Sequence, residues 1–234
     1  MKHPIRVTAA CAFMMTIAAC GGGHGGNDGD AATPPPQAGG GTPVAPTVKA
    51  DDLPAGTYVV SAGDANKPTV GRYYASAGGR RLLALEDPNE TVASLLRRTD
   101  TASNWIAVPA PGSDLDVRLL HSQPLTASTP DAATLAGRYV VRLSDGSAAD
   151  LLIGADGRVS AGTLSGCRIS GSLASGTLPG SLSVTLATTQ CAGLPASATG
   201  VLVTDPSDAP AAWRLLGDDG KQTVDLRGYG EAAA

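Results

Sequence analysis

Side chains that could carry out catalysis are few in this sequence. After residue 52 there is one histidine, His121, so a Ser–His–Asp triad would have to use it, and no nucleophile-elbow motif is present. Asp114 and Asp116 offer two carboxylates, but one falls in a turn and the other on a strand, outside any calcium-loop pattern. We therefore predict no catalytic residue, no metal site and no cofactor, and interpret His121 as a surface or packed residue.

Cys20 stands in a distinctive context at the amino end. Lys2, His3 and Arg6 form a short basic region, and the apolar run of residues 7–19 leads directly to the cysteine. Thirteen residues are too few to span a bilayer, which needs about 20. Residues 1–19 are therefore predicted to be a secretory signal peptide.

The end of this run, Ile17-Ala18-Ala19-Cys20, resembles the lipobox of bacterial lipoproteins. The resemblance implies that the Cys20 thiol is alkylated by diacylglycerol, that the chain is cut just before it, and that the new amino terminus is acylated, for example by palmitate. Two or more acyl chains give stable membrane attachment. Gly21 follows where inner-membrane lipoproteins carry aspartate, so the resemblance implies the cell outer membrane.

Residues 20–52 are predicted to be a tether that begins with the lipidated cysteine. Glycine, proline, alanine and aspartate dominate, and large apolar side chains are almost absent. Such a segment cannot bury enough surface to offset the entropy lost on ordering.

Two further cysteines, Cys167 and Cys191, remain in the exported part of the chain. Exported proteins meet an oxidising environment, and no histidine lies near the pair to favour a metal site. We predict a Cys167–Cys191 disulfide. Cys167 is two residues from Ile169 and six from Leu173, so on a strand all three share one face, and we predict that the sulfur of Cys167 points inward.

Charge argues against nucleic acid as a partner. Removal of the signal takes Lys2 and Arg6 from the 17 basic residues, which leaves 15 against 21 acidic residues, a net charge of −6 with neutral histidines. Nucleic-acid binding requires clustered Lys and Arg. Arg80-Arg81 and Arg97-Arg98 are interpreted as solvated pairs at strand edges.

Residues 135–230 show the pattern of about eight short antiparallel strands. Tyr139, Val141 and Leu143 alternate with polar residues, as do Leu182, Val184 and Leu186, which indicates one buried and one solvated face. Asp-Gly pairs mark hairpin turns. The predicted fold class is all-β, and this segment is predicted to be an eight-stranded barrel or a sandwich, followed by a short tail at 231–234.

Residues 53–122 are predicted to be another β segment, which precedes the barrel-like segment in the chain and is joined to it by a linker at 123–134. Residues 88–98 fit either a capped helix or a hairpin turn leading to a strand, and the all-β surroundings favour the strand. The stretches 55–60 and 136–141 echo each other, which fits either a duplication or chance. Whether the two segments form one domain or two stays open.

Aromatic residues are scarce. The two tryptophans, Trp105 and Trp213, fit core positions. Tyr73 and Tyr74 are adjacent, so on a strand one ring must face outward, and this pair is the candidate contact site.

The surroundings of the two cysteines, residues 167–171 and 191–195, resemble small Cys-pair β domains of proteobacterial lipoproteins, a likeness that carries no activity with it. We expect a non-enzymatic envelope protein, anchored to outer-membrane lipid through Cys20, whose β module is surface-exposed and binds a protein or other macromolecular ligand. The alternative is a periplasm-facing accessory of an outer-membrane or cell-wall complex.

Overall fold

A computed structural model of the chain describes residues 45–230. The predicted signal peptide, Cys20, the tether as far as residue 44 and the tail at 231–234 lie outside the described residues. Within them every regular element is a β-strand except one 3-10 helix, Pro206–Asp208, so the predicted all-β class is confirmed. No helix in residues 45–230 has the length and apolar character that crossing a bilayer would require.

The C-terminal segment is a closed antiparallel barrel, which decides between the two predicted architectures. Its first and last strands pair, with Gly228 opposite Val141 and Gly230 opposite Tyr139. The strands are β9 (Gly137–Arg142), β10 (Ala148–Ile153), β11 (Arg158–Ala161), β12 (Arg168–Ser175), β13 (Ser181–Thr189), β14 (Ser197–Val203), β15 (Trp213–Asp218) and β16 (Thr223–Gly230).

Alternating side chains fill the barrel interior, as predicted. Val141, Leu182 and Trp213 belong to one buried cluster, and the ring of Trp213 meets that of Tyr139 edge-to-face at 5.5 Å between centroids. Cys167 is buried in the same cluster and forms the predicted disulfide with Cys191. The barrel is therefore packed with its own side chains, as is usual for eight strands.

The N-terminal segment is an open, six-stranded antiparallel sheet. The strands are β2 (Gly56–Asp64), β3 (Lys67–Ala75), β4 (Arg81–Glu86), β5 (Val92–Arg98), β6 (Ile106–Val108) and β8 (Leu119–Leu125). Their order in the sheet is β6-β5-β4-β3-β2-β8, and all neighbours pair antiparallel.

A two-stranded parallel ribbon covers one face of this sheet. It pairs β1 (Val48–Ala50) with β7 (Leu115–Val117), and Val48 and Ala50 pack against the apolar cluster of that face. The prediction that the tether extends to residue 52 is therefore wrong at its end. The few apolar side chains of residues 48–50 suffice because β7 supplies a partner for their backbone.

Residues 87–98 form a turn and a strand, as favoured from the sequence. The Asp87 carboxylate accepts hydrogen bonds from the backbone N–H groups of Asn89 (2.8 Å) and Thr91 (3.0 Å). Glu90 has a φ of 60°, which a helix does not allow. The aspartate that could have capped a helix thus closes the β4–β5 hairpin instead.

The second face of the sheet packs on the outer wall of the barrel. Tyr74, Leu82 and Leu95 of the sheet form one buried cluster with barrel side chains that include Val201 and Leu216. Residues 45–230 accordingly lie within one compact unit. Strand β8 continues to Leu125, three residues into the segment predicted as a linker.

The two echoing stretches adopt the same local structure. Each lies on the strand that opens its sheet, and each tyrosine donates a hydrogen bond to the carbonyl four residues earlier. The Tyr58 hydroxyl lies 3.2 Å from the Pro54 oxygen, and the Tyr139 hydroxyl lies 2.9 Å from the Leu135 oxygen.

Candidate binding cleft between the sheet and the barrel

The residues considered for catalysis each have their own surroundings. His121 is exposed on the edge strand β8, Asp114 accepts a hydrogen bond from the Thr47 backbone, and Asp116 pairs with Arg118 in solvent. Within residues 45–230, no group of three or more His, Cys, Asp or Glu side chains could hold a metal ion.

The expectation of an outward-facing ring at Tyr73-Tyr74 is wrong. Tyr73 is fully buried in the core beneath the β1–β7 ribbon, and Tyr74 is 4% exposed. The two rings do point to opposite faces of β3, but the barrel covers the face that Tyr74 occupies. The pair therefore contributes to two cores and not to an exposed contact site.

Burial of these tyrosines predicts a loss of stability at alkaline pH. Burial raises the pKa of Tyr73 from 10 to about 12 and also raises the pKa of Tyr74. Between pH 10 and 12 the unfolded chain ionises at Tyr73 while the folded chain does not, so the free energy of unfolding falls as pH rises through this window. Urea unfolding at pH 8, 10 and 11 should show the decline, and Tyr73→Phe should reduce its slope. An equal slope in the variant and the wild type would contradict this assignment.

A buried arginine, Arg214, joins the sheet to the barrel. Its Nε and Nη2 donate to both oxygens of Asp225 at 2.8 and 2.7 Å, and its Nη1 donates to Glu86 of β4 at 2.6 Å. Nη2 also donates to the Glu90 carbonyl oxygen at 3.0 Å. Burial lowers the pKa of Arg214, but the bonds to Asp225 and Glu86 outweigh burial and raise it overall, so the guanidinium stays charged.

The β4–β5 turn is attached to the same region by further hydrogen bonds. The Val92 N–H donates to Asp225 (2.9 Å), the Thr223 hydroxyl donates to the Val92 carbonyl (3.1 Å), and Arg227 donates to the Glu90 carbonyl (2.6 Å). We call Arg214, Asp225, Glu86 and these turn contacts the ionic clamp. The clamp fixes the hairpin against β15 and β16, so the sheet and the barrel are held in one arrangement.

A cleft of about 800 Å³ opens beside the ionic clamp. Its charged lining residues balance one another: Lys67, Arg72, Arg214 and Arg227 against Glu86, Asp87, Glu90 and Asp208. Burial raises the pKa of Asp208, and the charges of Arg214 and Arg72 only partly offset this. Since the arginines here already bind protein groups, this cleft has little free charge to offer a ligand.

A smaller cleft of about 300 Å³ opens at another part of the same junction. We call it the arginine cleft. Its sheet side includes Arg80, Leu82, Leu95 and Arg97. Its barrel side carries the outward hydroxyls of β13 and β14, including Thr185 and Thr199. These two threonines are directly opposed across the strands, and both are exposed.

The arginine cleft holds one guanidinium in a fixed orientation. Arg97 donates from Nε and Nη2 to the two oxygens of Asp218 at 3.1 and 3.4 Å. Asp218 is 5% exposed and is itself held by the Gly220 N–H at 2.8 Å. Among the described residues no partner binds Arg97 Nη1 or the exposed Arg80 guanidinium, so both can meet a ligand.

The other two arginines of these pairs point to the opposite face of the sheet. Arg81 and Arg98 are register partners, and both bind the Asp52 carboxylate, at 3.1 and 2.8 Å. The Arg98 guanidinium also lies 5.3 Å from the centroid of the Trp105 ring. The interpretation of these arginines as solvated edge residues is therefore wrong for Arg81, Arg97 and Arg98, because β4 and β5 are interior strands of the sheet.

Sequence reasoning did not identify the arginine cleft. Arg97 and Asp218 are 121 residues apart, and Asp218 stands in a Gly-Asp-Asp-Gly stretch whose residue types are typical of a turn. The only local signal was the pair of adjacent arginines, which alternation places on opposite faces of a strand. The chain matches no protein-family model, no curated protein and no solved structure.

Proposed function

We propose that this protein is a non-enzymatic lipoprotein of the outer membrane that displays one rigid β module and binds a macromolecular ligand with it. The arginine cleft is the observation that carries the binding role. It combines an apolar floor, free guanidinium donors and exposed hydroxyls in a concave site at the junction of the sheet and the barrel, and such junctions are a common place for a binding site.

Rigidity of the module supports this role. The ionic clamp and the shared apolar cluster hold the two walls of the cleft in a fixed position relative to each other. Ligand binding would therefore lose little conformational entropy in ordering the walls. The lipobox resemblance at Cys20 and the glycine- and proline-rich composition of residues 21–44 support the proposed display.

Protease treatment of intact cells tests the display. We expect added protease to degrade the module in intact cells while a periplasmic marker protein survives. Protection in intact cells, with cleavage after the outer membrane is broken, would overturn surface display and favour the periplasm-facing accessory role.

Lipidation at Cys20 has its own test. Metabolic labelling with a palmitate analogue should mark the wild-type protein, and Cys20→Ala should abolish the label and block cleavage of the signal peptide. Cys11→Ala, in the part of the chain that cleavage would remove, is the matched control and should label as the wild type does. Equal labelling of the Cys20 variant would exclude the anchor.

A further inference from the structure

The chemistry of the arginine cleft identifies a class of ligand. This step rests on the binding function proposed above. We propose that the cleft binds an acidic sugar unit, a sugar ring that carries a single carboxylate.

Charge in the cleft matches one negative charge. Arg80 and Arg97 contribute two positive charges, and Asp218 contributes one negative charge. Arg81 and Arg98 also line the cleft, but their guanidinium groups bind Asp52. The side chains available to a ligand therefore leave a net charge of +1, on a mature chain whose overall charge is negative.

A guanidinium held by a buried carboxylate is well suited to bind a second carboxylate. The contact with Asp218 orients the plane of the Arg97 fork, so little side-chain entropy remains to be lost when the ligand arrives. A planar carboxylate can use the free Nη1 edge, and Arg80 can approach the same group from solvent. Charge-assisted hydrogen bonds of this kind are stronger than neutral ones.

The remaining lining fits the rest of a sugar ring. Thr185, Thr199 and Ser183 present hydroxyl groups on the barrel side, where they can exchange hydrogen bonds with ring hydroxyls. Leu82 and Leu178 supply an aliphatic surface for the C–H face of the ring. The volume, about 300 Å³, is at the lower end of the range for small-molecule sites, which suits one sugar unit better than a longer segment.

A saturation-transfer NMR titration of the full-length protein in detergent tests the proposal. The probes are methyl glucuronide, its neutral counterpart methyl glucoside, acetate and inorganic phosphate; phosphate carries no carbon-bound proton, so its binding is measured by competition with the glucuronide signal. We expect the glucuronide to bind at least about tenfold more tightly than the other three, because only it supplies both the carboxylate and the ring. Raising the salt concentration should weaken binding.

Variants locate the site. Arg80→Gln should weaken glucuronide binding about tenfold, and Arg97→Lys should weaken it comparably because lysine cannot form the planar fork. Arg118→Gln removes a positive charge outside the cleft and should bind as the wild type does. Thermal unfolding of each variant checks that the fold is retained.

Several results would overturn the proposal: no glucuronide binding, equal binding of the neutral glycoside, binding of acetate or phosphate as tight as that of the glucuronide, or full binding by Arg80→Gln. The outcome is independent of the protease test on cells. A periplasmic module that binds the glucuronide would overturn surface display alone, and an exposed module that does not bind it would overturn the ligand class alone.

Discussion

Replacing Arg214 by methionine will lower the free energy of unfolding by about 3–5 kcal/mol. Methionine retains much of the volume but leaves Asp225 and Glu86 without their cation, and Asp225 has a side chain only 3% exposed. The cost of an uncompensated buried charge exceeds the value of the ion pair itself. For a folded unit of this size the melting temperature should fall by roughly 6–20 °C.

Thermal and urea unfolding, followed by circular dichroism, provide the measurement. Arg118→Met is the matched control, because the Arg118–Asp116 pair is solvated, with side chains 78% and 53% exposed. A surface pair of this kind contributes at most about 1 kcal/mol. If both variants unfold at the same urea concentration, the ionic clamp does not hold the sheet and the barrel together as described.

Removing the Cys167–Cys191 disulfide will lower the free energy of unfolding by about 3.5 kcal/mol, from the entropy of closing a loop of this length. The two cysteines are 24 residues apart, and the loop contains all of β12 and β13. The unfolded chain gains freedom when the bond is absent, while the folded barrel keeps its interior alternation.

Urea unfolding of Cys167→Ala/Cys191→Ala measures this effect. Cys191→Ala alone should lose nearly the same free energy, because either substitution breaks the single bond, while the buried Cys167 side chain remains in the core. Treatment of the wild type with a reductant should reproduce the shift. A loss below about 1 kcal/mol in all three would show that the loop is already restricted in the unfolded chain.

The barrel and most of the sheet could be predicted from the sequence because their signals are local. The interior positions of β13, Leu182, Val184 and Leu186, alternate with Ser183 and Thr185, and a period of two specifies a strand and its buried face. The same alternation predicts that Cys167 and Trp213 face the barrel interior, where both lie. For residues 87–98 the cap-like Asp87 left two alternatives, which the all-β context decided as the structure does.

In strand β15 the local sequence pattern does not predict which residues are buried. Its alternation predicts that Arg214 faces solvent, yet all six residues of the strand are buried. The inward face of β15 fills the barrel. The outward face lies beneath the sheet, where Arg214, Leu216 and Asp218 contact sheet residues. Period-two patterning identifies two faces but does not say what covers the second.

Alternation along single strands is enough to predict the all-β class, the strand pattern of the barrel and the inward orientation of Cys167. The number of cysteines is enough to predict the bond to Cys191. The packing of the sheet on the barrel, the burial of Tyr74 and the contact of Arg97 with Asp218 could be found only in the folded chain. Arg97 and Asp218 are 121 positions apart, and the energies of these contacts depend on which surfaces exclude water together.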